Sequence, residues 1–463
     1  MDSNDSKDIT PEQASGKTYD VVIVGSGTCG STLARELASA GKRVLVLERG
    51  KHVALRESFG AIAAMIDQIK IEGSGVAAAR GVAVGGSTGV YFAVVAYPDL
   101  STFSALGIDL SAELARIRAE LPINVLPDEM LGVKTLRLRD AALAGGHDWI
   151  KRDMLVDLAA SAHGYAYDAK WKARPYLVDA IDHGADLISG ALVDEVLVED
   201  GVAVGVGFVK REGLRRRRHR VHADKVVIAA GELASPAMLR AAGLDEIGNR
   251  GFFCTPGYAM YGLVPGLAGS DSYVSSMGCD GEDGVSLGDA NMSKTFHRMM
   301  MLGGMKLCHF LPFEKCVGIG IKVADELGGE LTPDGRLRKV FDADVRARLE
   351  KGRRDALALF ERMGARHVTD FGLSVAGRVG GLVRIGEHLD ADLQTRIGNL
   401  HVCDGSVIPD DMKGPPAVTL LCLSRYLAKR LLAQASGARD APAPVASQAS
   451  QASQCPSVAV ATA

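Results

Sequence analysis

A glycine-rich turn between two apolar strands is the first part of this sequence that could do chemistry. Residues Gly25–Gly30 have the spacing G-x-G-x-x-G and follow the β-branched run Val21–Val24. A stretch with apolar residues at helical spacing comes next. In such a unit Gly25 permits the tight turn, Gly27 lets backbone N–H groups approach a pyrophosphate, and Gly30 lets helix and strand pack closely. The pattern predicts a dinucleotide site; the alternative is a plain strand–helix turn of an α/β protein.

An acidic residue stands where the second strand of this unit ends. The apolar run Val44–Leu47 closes on Glu48. A carboxylate at this place can accept both ribose hydroxyls of an adenosine, and it would repel a 2′-phosphate. Glu48 therefore argues against NADP.

The composition bounds the class of protein. The chain has 463 residues, 47% of them apolar, which predicts two domains or one domain with large insertions. A net charge of −3 implies no nucleic-acid partner. Eight cysteines without C-x-x-C pairs indicate a reducing compartment, with neither a disulfide framework nor a zinc site. No apolar run approaches the ~20 residues of a transmembrane helix, so a cytoplasmic location is expected.

Three later segments repeat features of the first motif. Residues 85–88 form a second glycine-rich stretch, typical of backbone lying against a flat cofactor or of a turn-rich loop. The buried strand Val226–Ala229 runs into a glycine turn and a helix, for which Ser235 is the predicted N-cap. The core strand Leu400–Cys403 is followed by Asp404-Gly405-Ser406 and a helix from Pro416 to Leu432. These segments predict more than one contact with the same nucleotide.

Hydrophobic periodicity predicts most of the remaining elements. The predicted helices are 110–121, 153–162, 167–183 and 343–363, and the predicted strands are 187–189, 193–198, 203–209, 299–311 and 317–323. The basic run 214–220 is expected at a solvated hairpin tip rather than in a phosphate or membrane patch. Residues 1–17 are polar and predict a disordered leader, and residues 436–463 are rich in Ala, Ser, Pro and Gln and predict a disordered tail.

Taken in order, these segments resemble the glucose–methanol–choline (GMC) flavoprotein oxidoreductases. The matching stretches are Val21–Glu48, Gly85–Thr88, Arg174–Leu177 leading into Val193, Val226–Pro236 and Leu400–Pro409 with its following helix. The resemblance spans roughly residues 18–435, and the stretch His401–Pro409 looks most like the long-chain alcohol oxidase branch.

The resemblance implies an α/β fold in which a Rossmann-like domain binds FAD and an interleaved α+β domain covers the substrate. The implied FAD-binding segments are 18–99, 166–249 and 382–435, and the implied substrate segments are 100–165 and 250–381. Carried over by position, the residues implied to contact FAD are Gly25, Gly27, Thr28 and Gly30 (pyrophosphate), Glu48 (ribose), Gly86, Ser87 and Thr88 (flavin ring), Val193 (adenine), Ala230, Gly231 and Ser235 (adenosine end), Asp404 and Gly405 (ribityl–phosphate region) and Pro416 (start of the helix aimed at the flavin).

The sequence departs from the family at the catalytic positions. The family uses a His to remove the hydroxyl proton and a second His or Asn to orient the substrate. Here these positions fall on Arg378 and Pro415. Arginine stays protonated in proteins and cannot act as the base, although it can pair with an acidic substrate group. Other candidates for the catalytic set are His309, His163 and Lys413.

The resemblance therefore implies an FAD-dependent oxidoreductase that acts on a hydrophobic or amphiphilic small molecule with a rearranged catalytic set. Hydride would pass from the substrate to flavin N5. One alternative is a flavin-containing lyase, isomerase, decarboxylase (a light-driven one included) or cyclase, with Arg378 binding an acidic group. Another is a flavin-binding protein without catalysis. The substrate region is short for the family, which predicts an open site or one completed by a partner.

Overall fold

The computed structural model describes residues 8–325, 327–409 and 414–435. The predicted tail and Lys413 lie outside these residues. The described part of the predicted leader contains a helix instead, because Thr10 and Gln13 form a capping box at its start. None of the described helices combines the length and apolar character needed to cross a bilayer.

The described residues contain both helices and strands throughout. The helices are α1 (Pro11–Ser15), α2 (Thr28–Ser39), α3 (Phe59–Met65), α4 (Leu100–Ala105), α5 (Ser111–Glu120), α6 (Asp128–Ala144), α7 (Arg174–Asp182), α8 (Ser235–Ala241), α9 (Lys294–Gly303), α10 (Ala343–Arg362) and α11 (Ala417–Ala435). The strands are β1 (Tyr19–Val24), β2 (Val44–Glu48), β3 (Ile66–Lys70), β4 (Ala77–Gly81), β5 (Ile123–Val125), β6 (Ile150–Lys151), β7 (Asp153–Leu155), β8 (Asp186–Ser189), β9 (Ala191–Glu199), β10 (Val202–Glu212), β11 (Arg215–Ile228), β12 (Phe253–Leu263), β13 (Met277–Asp280), β14 (Val285–Asp289), β15 (Cys316–Val323), β16 (Glu330–Leu331), β17 (Leu337–Arg338), β18 (Arg366–Asp370), β19 (Val375–Gly380) and β20 (Leu400–Val402).

The glycine motif lies at the centre of a seven-stranded sheet. Its order is β8–β2–β1–β11–β10–β9. Strand β20 pairs with the last residues of β11, on the side opposite β1. Strands β8, β2, β1, β20 and the end of β11 run parallel. Because the carboxyl ends of parallel strands meet at one edge, this edge is where a doubly wound sheet binds its ligand. The turns that emerge there begin at Gly25, Arg49, Ala229 and Cys403.

A second sheet of nine strands forms the other large layer. Its order is β3–β4–β19–β12–β15–β14–β13–β6, with β18 also paired to β12, and most of the pairs are antiparallel. Helix α10 covers one face, where the Tyr258 hydroxyl donates to the Leu349 carbonyl at 3.1 Å. Strands β3 and β4 belong to this sheet, although the sequence places them in an FAD-binding segment; the division into two domains otherwise stays a prediction.

Several predicted elements differ from the structure. Residues 299–311 were predicted as a strand, but the structure has helix α9 and a single 3-10 turn at Leu307–His309. The helix begins at the N-cap Ser293, whose hydroxyl accepts the Phe296 N–H at 3.4 Å. Residues 153–162 were predicted as a helix, but β7 pairs with β5 and turns follow it. Tertiary pairing overrides a weak local periodicity in both cases.

Two further predictions change in position. The helix predicted at 167–183 begins only at Arg174, next to Pro175, which suits the first helical turn. The basic run lies along the exposed start of β11, paired with β10, rather than only at the hairpin tip. The other predicted helices and strands are present with ends shifted by a few residues.

A buried ion pair fixes the loop after β15. The Lys339 ammonium lies 3.0 Å from the Asp325 carboxylate, and the two side chains are only 5% and 4% exposed. Asp325 also accepts the Cys254 N–H of β12 at 3.0 Å. We expect Lys339→Met to lower the free energy of unfolding by about 3–5 kcal/mol, because it leaves a buried carboxylate without its counter-charge.

The control is the neighbouring exposed pair of Arg338 with Glu330. Arg338→Met should cost only about 0–1 kcal/mol. Urea unfolding followed by circular dichroism measures both variants. Equal midpoints for the two would contradict the assigned importance of the buried pair.

Candidate functional site

The first glycine motif is packed too tightly for any other residue at two of its positions. A Cβ on Gly25 would lie 2.3 Å from the Ala229 carbonyl oxygen, and one on Gly30 would lie 1.9 Å from the Gly25 oxygen. Strand β1, helix α2 and the end of β11 therefore meet at backbone distance. Gly27 is different, because no atom lies within 4 Å of its Cβ position. This open space lies at the N-cap of α2, which has no side-chain cap, so its free N–H groups suit an anion.

Glu48 holds the two glycine-rich segments together. Its carboxylate accepts the Ser26 N–H at 2.9 Å, the Ser26 hydroxyl at 2.8 Å and the Gly50 N–H at 2.6 Å. The Ser26 oxygen in turn accepts the Gly85 N–H at 3.1 Å. Burial raises the pKa of Glu48, and these hydrogen bonds oppose the rise. Sequence reasoning missed Ser26. The signal was a hydroxyl between the first two glycines of the motif, close to the acid that ends β2.

The second glycine segment lies directly on the first. A Cβ on Gly86, whose φ is +61°, would come within 2.7 Å of the Gly27 Cα. Thr88 donates its hydroxyl to the Gly85 carbonyl at 2.8 Å and accepts the Ala173 N–H at 3.0 Å. The structure thus brings Gly86 against the first glycine motif, whereas Thr88 joins the second glycine segment to the residue before α7. The neighbouring hydroxyl of Ser87 instead accepts the N–H of Gly81, the last residue of β4, at 3.0 Å.

Asp404 joins the turn after β20 to the turn after β11. Its buried carboxylate accepts the Gly231 N–H at 3.0 Å and the Ser235 hydroxyl, and it also accepts the Ser406 N–H at 2.9 Å and hydroxyl at 2.6 Å. Burial raises the pKa of Asp404. The prediction that Ser235 is an N-cap was wrong, because α8 begins at Ser235 itself. The Ser235 hydroxyl donates to the Asp404 carboxylate in the turn after β20 instead of capping α8.

The remaining predicted cofactor residues lie around these turns. The Ala230 Cα is 3.2 Å from the Cβ position of Gly25, and the Gly405 oxygen is 3.0 Å from that of Gly380 in β19. Val193 is buried in β9, four residues after Ser189, which pairs with Glu48. Pro416 precedes α11, and its carbonyl accepts the Leu420 N–H at 2.8 Å.

The first turn of α11 closes the site. The Leu420 carbonyl lies 3.8 Å from the Cys29 sulfur in the first glycine motif, and burial raises the pKa of this thiol. The Thr419 hydroxyl is buried, and no hydrogen-bond partner for it exists among the described residues. A buried hydroxyl without a partner is costly unless a bound group completes it. Sequence reasoning did not single out Thr419.

Comparison with known proteins agrees with this geometry. A sequence model of the GMC oxidoreductase family matches residues 138–251, and one of the NAD(P)-binding Rossmann-like domain matches residues 23–59. Over these residues the chain is similar to the GMC oxidoreductases. A long-chain-alcohol oxidase of Arabidopsis thaliana is 23% identical over 402 residues, which cover 75% of this chain and 53% of that protein.

Two other similarities are to a second plant protein and to a solved structure. An (R)-mandelonitrile lyase-like protein of Arabidopsis thaliana is 29% identical over 271 residues, covering 53% of this chain and 48% of that protein. The fold matches that of an Aspergillus oryzae formate oxidase with a TM-score of 0.68 and 14% identity, over 91% of this chain and 99% of that one. The chain spans about half the length of these two curated relatives.

FAD, the cofactor of GMC proteins, suits the residues at this edge. The uncapped N-terminus of α2 and the open space at Gly27 offer N–H groups to a pyrophosphate. The Thr419 hydroxyl, in the first turn of α11, provides a buried polar atom without a partner among the described residues. The individual contacts assigned to the cofactor residues stay predictions.

The three catalytic candidates within the described residues lie on separate elements. Arg378 lies on β19, two residues before Gly380, which contacts Gly405. His309 is buried in the 3-10 turn rather than on a strand, with its Nδ1 3.0 Å from the Cys308 sulfur. Burial lowers its pKa. His163 is exposed on a turn, and Lys413 lies outside the described residues.

Two other histidines are structural. His297 Nε2 bonds to the His309 carbonyl at 2.8 Å, and His401 Nδ1 bonds to the Asp392 carbonyl at 3.0 Å. Burial lowers the pKa of each to about 4. Both rings are therefore neutral at pH 7 and held by backbone.

The contact between the two glycine segments gives a direct test of the cofactor site. We expect the Gly86→Ala protein to purify with much less FAD. The added Cβ would push the second glycine segment away from the Gly27 backbone of the first. Gly201→Ala is the matched control, since Gly201 also has a positive φ, of +78°, but no atom lies within 4 Å of its Cβ position. Both changes carry the left-handed backbone cost of about 1–2 kcal/mol. Flavin absorbance per protein measures the difference, and equal FAD content in the two variants would contradict it.

Proposed function

We propose that this protein is an FAD-dependent oxidoreductase that oxidises a hydroxyl-bearing carbon of a hydrophobic or amphiphilic small molecule. The observation that carries the proposal is the convergence of Gly27, Gly86 and Asp404 at one sheet edge, with β19 ending against Gly405. The second sheet therefore presents its strands next to the cofactor turns. The similarity to a long-chain-alcohol oxidase supports this substrate class.

The residues of the chain have separate tasks in this function. The bound FAD supplies the oxidising ring that accepts hydride at N5. The N-terminal turn of α11 would favour negative charge on the ring of a bound FAD, because a helix N-terminus is the positive end of its dipole. The network of Glu48, Ser26 and Asp404 fixes the turns that position the cofactor.

A second candidate function keeps FAD but involves no net oxidation. Arg378 stands where the family has its base, and its guanidinium lies 5.0 Å from the centre of the Phe253 ring. A permanent cation at this place suits a substrate carboxylate, as in a lyase, isomerase, decarboxylase or cyclase. The similarity to an (R)-mandelonitrile lyase-like protein favours this class. A partner that completes the substrate site and a cytoplasmic location stay predictions from the sequence.

Anaerobic reduction of the purified holoprotein distinguishes the two functions. We expect the protein to carry an oxidised-flavin spectrum that bleaches when primary alcohols of increasing chain length are added without oxygen. Turnover of a hydroxy acid or cyanohydrin without bleaching would favour the second function instead. Protein that takes up no FAD would contradict both.

The substitution Arg378→Met tests the role of the cation. If the substrate carries a carboxylate, its KM should rise about tenfold or more, because hydrogen bonds to charged groups contribute about 1.5–3 kcal/mol. FAD content should stay unchanged. Arg366→Met on the exposed start of β18 is the control. An unchanged KM and kcat in Arg378→Met would contradict a role of this residue in substrate binding.

A further inference from the structure

One lysine lies on the face of the second sheet that α10 leaves uncovered. Alternate residues of a strand face opposite ways. Ile321 of β15 points toward α10, because a Cβ on Gly352 would lie 2.7 Å from its side chain. Lys322 therefore points away from α10. It lies between Ser286 of β14 and Gly257 of β12 in the register of the sheet.

The contacts of Lys322 show where its side chain goes. Its Cγ lies 3.1 Å from the Cβ position of Gly257. Farther out, Cδ and Cε lie 3.6 and 3.5 Å from the Cβ position of Gly377 on β19. The side chain thus crosses β12 where glycine leaves room. Its Cε therefore lies beside Gly377, the residue that precedes Arg378.

A β-bulge marks the place that Lys322 reaches. Cys254 pairs with Val379 and Pro256 pairs with Ala376, so the single residue Thr255 is opposite both Gly377 and Arg378. Bulges of this kind re-aim side chains and occur next to active sites. This is the position at which the sequence lacks the expected histidine, two residues from the contact of Gly380 with Gly405.

The surroundings of Lys322 suit a group that exchanges protons. It makes no hydrogen bond or ion pair with any residue in the described part of the chain. The side chain is accessible to solvent, and desolvation by the surrounding atoms is the main cause that lowers its pKa. Arg152 lowers the pKa further, and Asp280, which accepts the Arg152 guanidinium at 2.9 Å, raises it.

We propose that Lys322 is the catalytic residue that accepts the substrate hydroxyl proton in place of the missing histidine. The inference rests on the oxidoreductase function proposed above. The substrate O–H bond breaks and its proton joins the neutral amine of Lys322. The oxygen electron pair forms the carbonyl as the carbon transfers hydride to FAD, which is the oxidant. Arg378 stays protonated and orients the oxygen or an acidic group of the substrate.

Substitution of Lys322 tests the proposal in the FAD-loaded protein. We expect Lys322→Met to slow anaerobic bleaching by an alcohol about 10²–10⁴-fold, the usual contribution of a positioned base. Lys322→Arg should be equally slow because arginine keeps its proton, and both variants should retain FAD. Lys315→Met, at an exposed position just before the same strand, should react normally. Unchanged rates, or full activity in Lys322→Arg, would overturn the proposal.

Two further measurements separate a proton acceptor from a structural residue. Small primary amines added to Lys322→Ala should restore part of the bleaching rate in proportion to their neutral fraction. A titration of ¹³C-labelled lysines, with Lys322→Arg to assign the signal, should place the pKa of Lys322 below the usual ~10.4. Absence of amine rescue or an ordinary pKa would count against this role. Failure of every alcohol to bleach the unmodified holoprotein would instead refute the oxidoreductase function itself.

Discussion

The carboxylate of Asp404 is the interaction on which the rest of the site depends. It joins two turns that are 173 residues apart in the chain, and it is buried with its hydrogen bonds satisfied. Glu48 does the same for the first and second glycine segments through Ser26. Two buried acids thus hold four backbone turns at one sheet edge. A buried charge without such partners would be costly, so the turns and the acids stabilise each other.

The sequence was sufficient for the part of the molecule that backbone geometry controls. The order strand, G-x-G-x-x-G, helix, strand and acid has few structural solutions, and the structure contains it at Tyr19–Glu48. The contact of Gly86 with Gly27 and the meeting of Asp404 with Gly231 and Ser235 also agree with the segments that the sequence singled out. Each motif is local in sequence, and at Gly25, Gly30 and Gly86 the surrounding backbone leaves no room for a side chain.

The sequence was less informative wherever tertiary contacts decide the outcome. The run 299–311 has many apolar residues, and its pattern is compatible with a strand or a helix. The N-cap Ser293 favours the helix, because its hydroxyl accepts a backbone N–H at the start of α9. Strand β7 forms only because β5 lies beside it. Lys322 has no motif at all. The only signal in the sequence is the spacing of Gly318, Gly320 and Lys322 at every second position of β15. This spacing indicates that one face of the strand carries small residues and a single charge.

The topology of the first sheet also constrains how the chain can fold during synthesis. Strand β1 at residues 19–24 is flanked by β11 at 223–228, and β11 gains its other parallel neighbour only from β20 at 400–402. The central layer therefore stays incomplete until most of the polypeptide has left the ribosome. Such distant pairings slow folding and leave apolar strand edges exposed for longer. We therefore expect this protein to fold more slowly than one whose neighbouring strands follow each other in sequence.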